Sequence, residues 1–559
     1  MTSGSDRERL DSWKTIAAYL KRDVRTIQRW ELHEGLPVHR KLHDKLSSIY
    51  AFKDELDRWW GGNHSRTPPQ HPEASAFRRP LLAVLPLRNL SGNNEEEYFS
   101  DGLTEELISQ LSRINPQQIG VIARGSTMRY KGNPGDFNRI ARELGASYIL
   151  DGSVRRSGNQ VRIAIQLIEV SDNGHLWADS YDRGLIDILE LQDEVARDVT
   201  RQIAGHLAAR DENRLRQGRQ VVPKAYEAYL RGRVLWNQRS PSALARAVTF
   251  FEESISLDPD YAPAYAGIAD SYSMLSTTAV GACNPAEVMP RARFAAARAV
   301  ELDPLLAEAH TSLACVKLFH EWDWTAAGNF FDRALKLNSG YATGRQWYAE
   351  YLGSAGLIDD AITELLRAQE VDPLSLTIPE ALASMHYLNR DYTQAIALSR
   401  RTLEVEPGFP LSYLNLGRAY VQQRMFREAI ANLMEGRKLH PDSTAILMTL
   451  AHAYAAAGKE QEARGVLASL KRIARRRYVP AFHFAATLAA LGDHEQTFAW
   501  LERARQERCD YFVYLDREPG ADSIRHDPRF AEIVPRSPVD LTRPPTERPE
   551  PMPGASSNG

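Results

Sequence analysis

The stretch Val24-Arg25-Thr26-Ile27-Gln28-Arg29-Trp30-Glu31 holds the residues whose types and spacing most directly offer chemistry. On a helix capped by Asp23, Val24, Ile27 and Trp30 or Glu31 turn inward, and Arg25, Thr26, Gln28 and Arg29 turn outward. Arginine grips O6 and N7 of guanine with two parallel hydrogen bonds, and glutamine does the same with adenine, so the outward face carries the side chains of a major-groove reader. Arg22, Arg40, His43 and Lys45 flank it as cations for DNA phosphates. Residues 1–62 hold 12 Lys and Arg against 10 Asp and Glu, a balance of only +2, so one copy should hold double-stranded DNA weakly and a homodimer is expected. The competing reading is a docking module whose arginines are merely solvated.

No constellation of comparable specificity points to catalysis. The sequence has no glycine-rich phosphate loop ending in Lys-Ser or Lys-Thr, no His-Glu-x-x-His, no Cys-x-x-Cys and no Gly-x-Ser-x-Gly. No enzyme activity, cofactor or metal is therefore expected. His310, His320, His440, His452 and His483 fall in different helical repeats and read as packing or surface residues. Three scattered cysteines, Cys283, Cys315 and Cys509, make no disulfide framework, and there is no apolar run of about 18 residues. A cytoplasmic protein is expected, and the net charge of −3 confines any basic surface to a local patch.

Around the outward-facing helix, Trp13–Leu20 forms an amphipathic helix, Val38–Leu42 and Ser47–Tyr50 form two strands, and Lys53–Trp60 a last helix. Helix, turn, helix, two-stranded wing and helix, together with Gly35-Leu36-Pro37 after the outward face, resemble the winged helix-turn-helix of mercury-resistance-regulator (MerR) and excisionase type DNA-binding domains. The resemblance covers about 50 residues. It implies base contacts by Arg25, Thr26, Gln28 and Arg29 and backbone contacts by Arg22, Arg40, His43 and Lys45. Residues 63–79, which follow Gly61-Gly62, carry Pro68, Pro69 and Pro72 with almost no large apolar residues and read as a flexible linker.

Residues 80–212 read as an α/β domain. Strands are expected at 81–87, 119–123, 147–156, 161–170 and 176–181, and helices at 98–114, 137–144 and 185–207. Asp101-Gly102 is expected to cap the first helix, Asp151-Gly152 to mark a bulge, and the loop Arg124–Thr127 offers backbone N–H groups to an anion. Leu82-Ala83-Val84-Leu85-Pro86-Leu87, Phe99–Leu107 and Tyr148–Arg155 resemble the TolB-like amino-terminal domain.

Ala327, Ala361, Ala395, Ala429 and Ala463 recur every 34 residues, with Thr497 in the next slot. Tyr413, Leu416, Gly417, Tyr420, Ala429, Leu433, Gly436 and Pro441 mark one unit of two antiparallel helices, and the spacing resembles the tetratricopeptide repeat over residues 224–510, about eight pairs. Ala279–Pro290 interrupts the second unit. The resemblance implies a superhelix whose groove binds a protein, peptide or small effector, with Gln346, Glu350, Glu380, Arg418, Gln422 and His452 on the inward helices. Residues 511–534 should cap the array and 535–559, with seven prolines, should be disordered. The expected molecule is multidomain: a winged helix-turn-helix, an α/β domain and an all-α repeat superhelix. Its expected role is transcriptional regulation, the alternative being an adaptor that never meets DNA.

Overall fold

The computed structural model of the protein describes residues 9–19, 36–42, 47–56, 79–114, 116, 118–132, 135–171, 174–204 and 220–537. They fall into two units, Met1–Arg78 and Arg79–Gly559.

In the first unit, helix α1 (Trp13–Tyr19) begins at a reciprocal cap: Thr15 N–H donates to Ser12 Oγ at 3.1 Å and Ser12 N–H to Thr15 Oγ1 at 3.0 Å. Strands β1 (Arg9–Leu10), β2 (His39–Leu42) and β3 (Ser47–Phe52) form an antiparallel sheet in the order β1-β3-β2. Ile16, Ala17, Leu36, Ala51 and Leu56 close a small core beneath it. The two-residue strand β1 escaped the sequence reading, being too short to show alternation.

The second unit starts with the α/β domain. Strands β4 (Leu81–Val84), β5 (Arg88–Asn89), β6 (Gly120–Val121), β7 (Tyr148–Ser157), β8 (Gln160–Glu169) and β9 (Gly174–Gly184) form a sheet in the order β6-β4-β7-β8-β9, with β5 also on β7. β4 runs parallel to β6 and β7, whereas β7, β8 and β9 are antiparallel. Leu82 and Val84 face helices α2 (Glu97–Arg113) and α4 (Ile188–Ala204), while Ala83 and Leu85 face α3 (Phe137–Leu144). Burial on both faces is why this strand reads as one continuous apolar run.

Two expectations in this domain are corrected. Asp101 lies inside α2, not at its start, and its carboxylate meets Lys131 Nζ at 2.6 Å. Its neighbour Gly102 has a packing role: a Cβ there would lie 2.7 Å from Leu230 of the array. Asp151-Gly152 is no bulge, because β7 pairs with β8 without a break from Tyr148 to Ser157 and the register shift falls at Leu167/Ile168 of β8.

Residues 223–506 fold as eight antiparallel helix pairs among the described residues. Pair one is Pro223–Trp236 with Pro241–Leu257, pair two Ala262–Ser276 with Pro285–Leu302, and pair eight Ala481–Ala490 with His494–Gln506. The 34-residue period is written into the backbone. Trp322, Gly356, Arg390, Arg424, Gly458 and Gly492, each 34 apart, all take left-handed φ values of 57 to 89° at the turn inside a pair. The periodic Ala327, Ala361, Ala395, Ala429, Ala463 and Thr497 are fully buried. In pair two the interruption is a loop only over residues 277–284; Pro285 opens the next helix, with Asn284 accepting from Ala286 N–H, and Pro290 lies inside it.

The α/β domain and the array share one core, in which Phe99, Leu103 and Leu107 of α2 meet Tyr226, Tyr229 and Leu230 of pair one. Ion pairs line the seam: Arg113–Glu308 at 2.8 Å, Arg156–Glu227 at 2.5 Å, Arg124–Glu105 at 3.2 Å, and Arg233 against Glu105. Arg124–Thr127 is a helical turn and not a loop, and it meets a carboxyl of the chain's own through the Ser126 hydroxyl. Ser126 Oγ donates to Asp372 Oδ1 at 2.6 Å and Leu374 N–H donates to Ser126 Oγ at 2.9 Å. A Cβ at Gly125 would lie 2.9 Å from Asp372 Oδ2.

Candidate functional site

Arg22, Arg25, Thr26, Gln28, Arg29, His43 and Lys45 lie outside the described residues. Arg40 lies on β2, paired with Ile49 of β3. Around it the strand pair is tied down. His39 Nε2 is 2.5 Å from Glu55 Oε2 and its ring stacks on Tyr50 with centroids 5.2 Å apart, so strand β2 is joined to the helical turn at 53–56.

The first helix of each pair packs on the first helix of the next, which turns these helices to the inner side of the superhelix. They line a cavity of about 480 Å³. Gln346, Glu350, Glu380, Arg418 and His452 all line it. Gln422 does not; it ends its helix, half-buried, one turn beyond Arg418.

The interior is not an open groove. Residues 508–525 leave pair eight and cross the inner side as a strap. Tyr514 Oη lies 3.5 Å from Glu350 Oε2, Arg390 pairs with Asp522 at 2.8 Å, and Phe512 stacks on Trp322 with centroids 5.5 Å apart. At its centre Glu518 takes Arg418 at 2.5 Å, Tyr387 Oη at 2.6 Å and Tyr511 Oη at 2.5 Å, with the guanidinium 4.1 Å over the Tyr387 ring. Burial works most strongly against charge on Glu518, and only Arg418 together with the hydrogen bonds from Tyr387, Tyr511 and the Gly520 N–H outweighs it, holding the carboxyl below its usual range. The loop of pair two closes another side. Gly281 faces the far end of the array so closely that a Cβ there would lie 3.2 Å from Pro480.

Each groove residue therefore meets a different fate. Glu380 is buried and accepts hydrogen bonds from Ser399, Ser412 and Asn415, an internal knot between neighbouring pairs. Arg418 is spent on the strap. Glu350 keeps accessible surface on the cavity wall, where burial pushes its carboxyl up to about 7, with Asp510 adding repulsion against hydrogen bonds from Gln346 and Tyr514. His452 is pushed down by burial and so stays neutral. The sequence reading missed Tyr387, Asp510, Tyr511 and Glu518; no local pattern marks them, because their partners lie up to 232 residues away. A second cavity, of about 720 Å³, lies between the α/β domain and the array and shares Arg239, Gln346 and Phe409 with the first. Among the described residues no group of His, Cys, Asp or Glu is arranged to hold a metal, and no helix is long and apolar enough to cross a membrane.

Residues 78–197 match the family described as HilA/YgeH-like transcriptional regulator, second domain. The same stretch carries the motifs that resemble the TolB-like domain. Over 246 residues the chain is 36% identical to "Putative adenylate cyclase 3" of Rhizobium meliloti (strain 1021), covering 42% of each. Over 340 residues it is 23% identical to "Transcriptional regulator HilA" of Salmonella paratyphi A (strain ATCC 9150 / SARB42), covering 58% of this chain and 59% of the relative. The chain thus spans between two fifths and three fifths of the length of these curated relatives. Among solved structures, Pseudomonas aeruginosa pilF is similar at 19% identity and a TM-score of 0.29, over 40% of this chain and 98% of that one. At so low a score the likeness carries no weight, and the tetratricopeptide character of the array rests on its own 34-residue period. The chain combines a stretch similar to the second domain of HilA/YgeH-like regulators with a helical repeat array.

Proposed function

We propose that this chain is a cytoplasmic transcriptional regulator that binds double-stranded DNA through residues 1–62 and senses an effector inside its repeat array. The observation that carries the reading is the match of residues 78–197 to the second domain of a transcriptional regulator family, preceded in the chain by a capped helix and an antiparallel strand pair. In this reading Arg25, Thr26, Gln28 and Arg29 read base edges, and Arg22, Arg40, His43 and Lys45 hold phosphates. The weak charge balance of the head calls for two copies on one operator, as in other helix-turn-helix dimers. The α/β domain, TolB-like in its motifs, is the rigid mount for the array, since the two share one core.

The strap and the loop at 277–284 narrow the inner side to a partly open cavity of about 480 Å³, a size that favours a small effector. Cyclase chemistry is no part of the reading, and we assign the stretch shared with the cyclase relative to regulation. Selection from random duplexes with the full-length protein tests the proposal. A recovered sequence with two spaced half-sites supports it, and recovery of no sequence above background reduces the molecule to an adaptor.

A further inference from the structure

We propose that the chamber inside the superhelix binds a small protonated amine with an apolar body, its ammonium held by the carboxylates of Glu350 and Asp510 and by a ring nitrogen of His483. The inference rests on reading the array as an effector module and is independent of what the head binds.

The chamber, about 480 Å³, is of the size that takes small organic ligands. Met274, Phe319, Trp347, Met385, Met448 and Phe482 give it apolar and aromatic walls, suited to an apolar body and to a cation against ring faces. Four carboxylates reach the wall, and two are already satisfied. Glu380 is held by Ser399, Ser412 and Asn415, and Glu518 by Arg418, Tyr387 and Tyr511. Glu350 and Asp510 have no ion pair among the described residues. Asp510 is met by neutral donors alone: the Thr278 N–H at 3.0 Å, the Thr278 hydroxyl, the backbone N–H groups of Tyr511 and of Asp510 itself, and a 3.8 Å contact from the Cys509 thiol; Glu350 has the 3.5 Å contact from Tyr514 and a hydrogen bond from Gln346. The two carboxylates repel each other, which is the arrangement an added cation relieves.

The cations already on the wall are engaged elsewhere. Arg418 belongs to Glu518, Arg508 lies over Trp322 at 4.7 Å, and Arg239 lies over Trp236 at 3.6 Å with an N–H on Met274 Sδ.

His483 is the independent observation. It is fully buried on the same wall, and neither ring nitrogen has a hydrogen-bond partner; the Thr278 backbone acts on the ring without reaching hydrogen-bond geometry. Burial keeps the ring neutral, so one nitrogen is an unmet acceptor, which costs free energy until a donor arrives. Thr278 joins the two halves of the cluster, donating to Asp510 on one side and bordering His483 on the other. A group with several N–H donors and a positive charge meets all three demands. A quaternary ammonium lacks the donors, and a bare divalent ion would need more oxygen ligands than these residues offer.

The test is calorimetry and thermal shift on the full-length protein with 4-phenylbutylamine, 4-phenylbutanol and 4-phenylbutyrate. The amine is expected to bind at least tenfold tighter than the alcohol, and the carboxylate not at all. Glu350→Gln and Asp510→Asn, both near-isosteric, should each cost the amine tenfold or more and leave the alcohol unchanged, with unaltered melts of the empty protein showing that the fold is kept. Met448→Trp, which fills the chamber, should abolish binding of both. Equal binding of amine and alcohol, or amine binding indifferent to both neutralising variants, overturns the cation assignment and leaves the chamber an effector site of another class. If none of the three probes binds at millimolar concentration, the assignment of the chamber to an effector falls with it.

Discussion

Arg418→Ala tests the ion pair that pins the strap across the inner side of the superhelix. The guanidinium is about one-fifth exposed and Glu518 one-tenth, at 19% and 9% of their side-chain surface, so the substitution strands a buried carboxylate. Breaking a buried pair by removing one partner costs about 3–5 kcal/mol. Glu518 keeps Tyr387, Tyr511 and the Gly520 N–H as neutral donors, which sets the expectation at the lower end. With a urea slope of about 3 kcal/mol per molar for a domain of this size, the midpoint should fall by roughly 1 M. Arg418→Met with Glu518→Leu removes both charges at similar volume and should recover most of that loss. The pH dependence has a definite sign. Because Glu518 is held below its ordinary carboxyl range, its contribution is complete above about pH 4.5 and is lost as pH falls through the lowered value. Glu518→Gln should therefore flatten the acid limb of the stability curve. A midpoint unmoved by Arg418→Ala, or a double variant no better than the single, refutes the Arg418–Glu518 pair as the anchor of the strap.

Two further outcomes test the repeat register and the head. Ala429→Glu puts an unpaired charge at a fully buried helix contact and should lower the melting temperature by several degrees, and an unchanged scan contradicts the register. Arg25→Ala or Arg29→Ala should cost about 1–3 kcal/mol at particular base pairs in a gel-shift series, whereas Lys45→Ala should weaken all duplexes alike; sequence-selective loss from Lys45→Ala contradicts the assigned roles.

The array was legible because its contacts are local and repeated: one alanine per unit at a helix crossing leaves a period that survives in the sequence. The β7–β8 hairpin was legible through Ser157-Gly158-Asn159, a turn with Gly158 at φ 59°. The strap was not, since Tyr511 and Glu518 follow no period and acquire meaning only when Tyr387 and Arg418 are brought to them. Gly125 and Gly152 looked like features of loop and bulge geometry. Each instead marks a close approach, to Asp372 and to the Ala164 carbonyl, and such approaches are invisible before the chain is folded. Of the six residues assigned to the groove, helix phase alone put five on the cavity wall, and only packing separates Glu350, which faces the cavity, from Glu380, which is consumed by its neighbours.

The central claim is most directly tested by titrating the full-length protein against a fluorescent duplex at 50 and 200 mM salt. The account predicts sequence-preferring binding at the lower salt that weakens at least tenfold at the higher, as phosphate contacts release counterions. No binding at the lower salt, or binding equally strong to every duplex with Arg25→Ala unchanged from the natural protein, contradicts it.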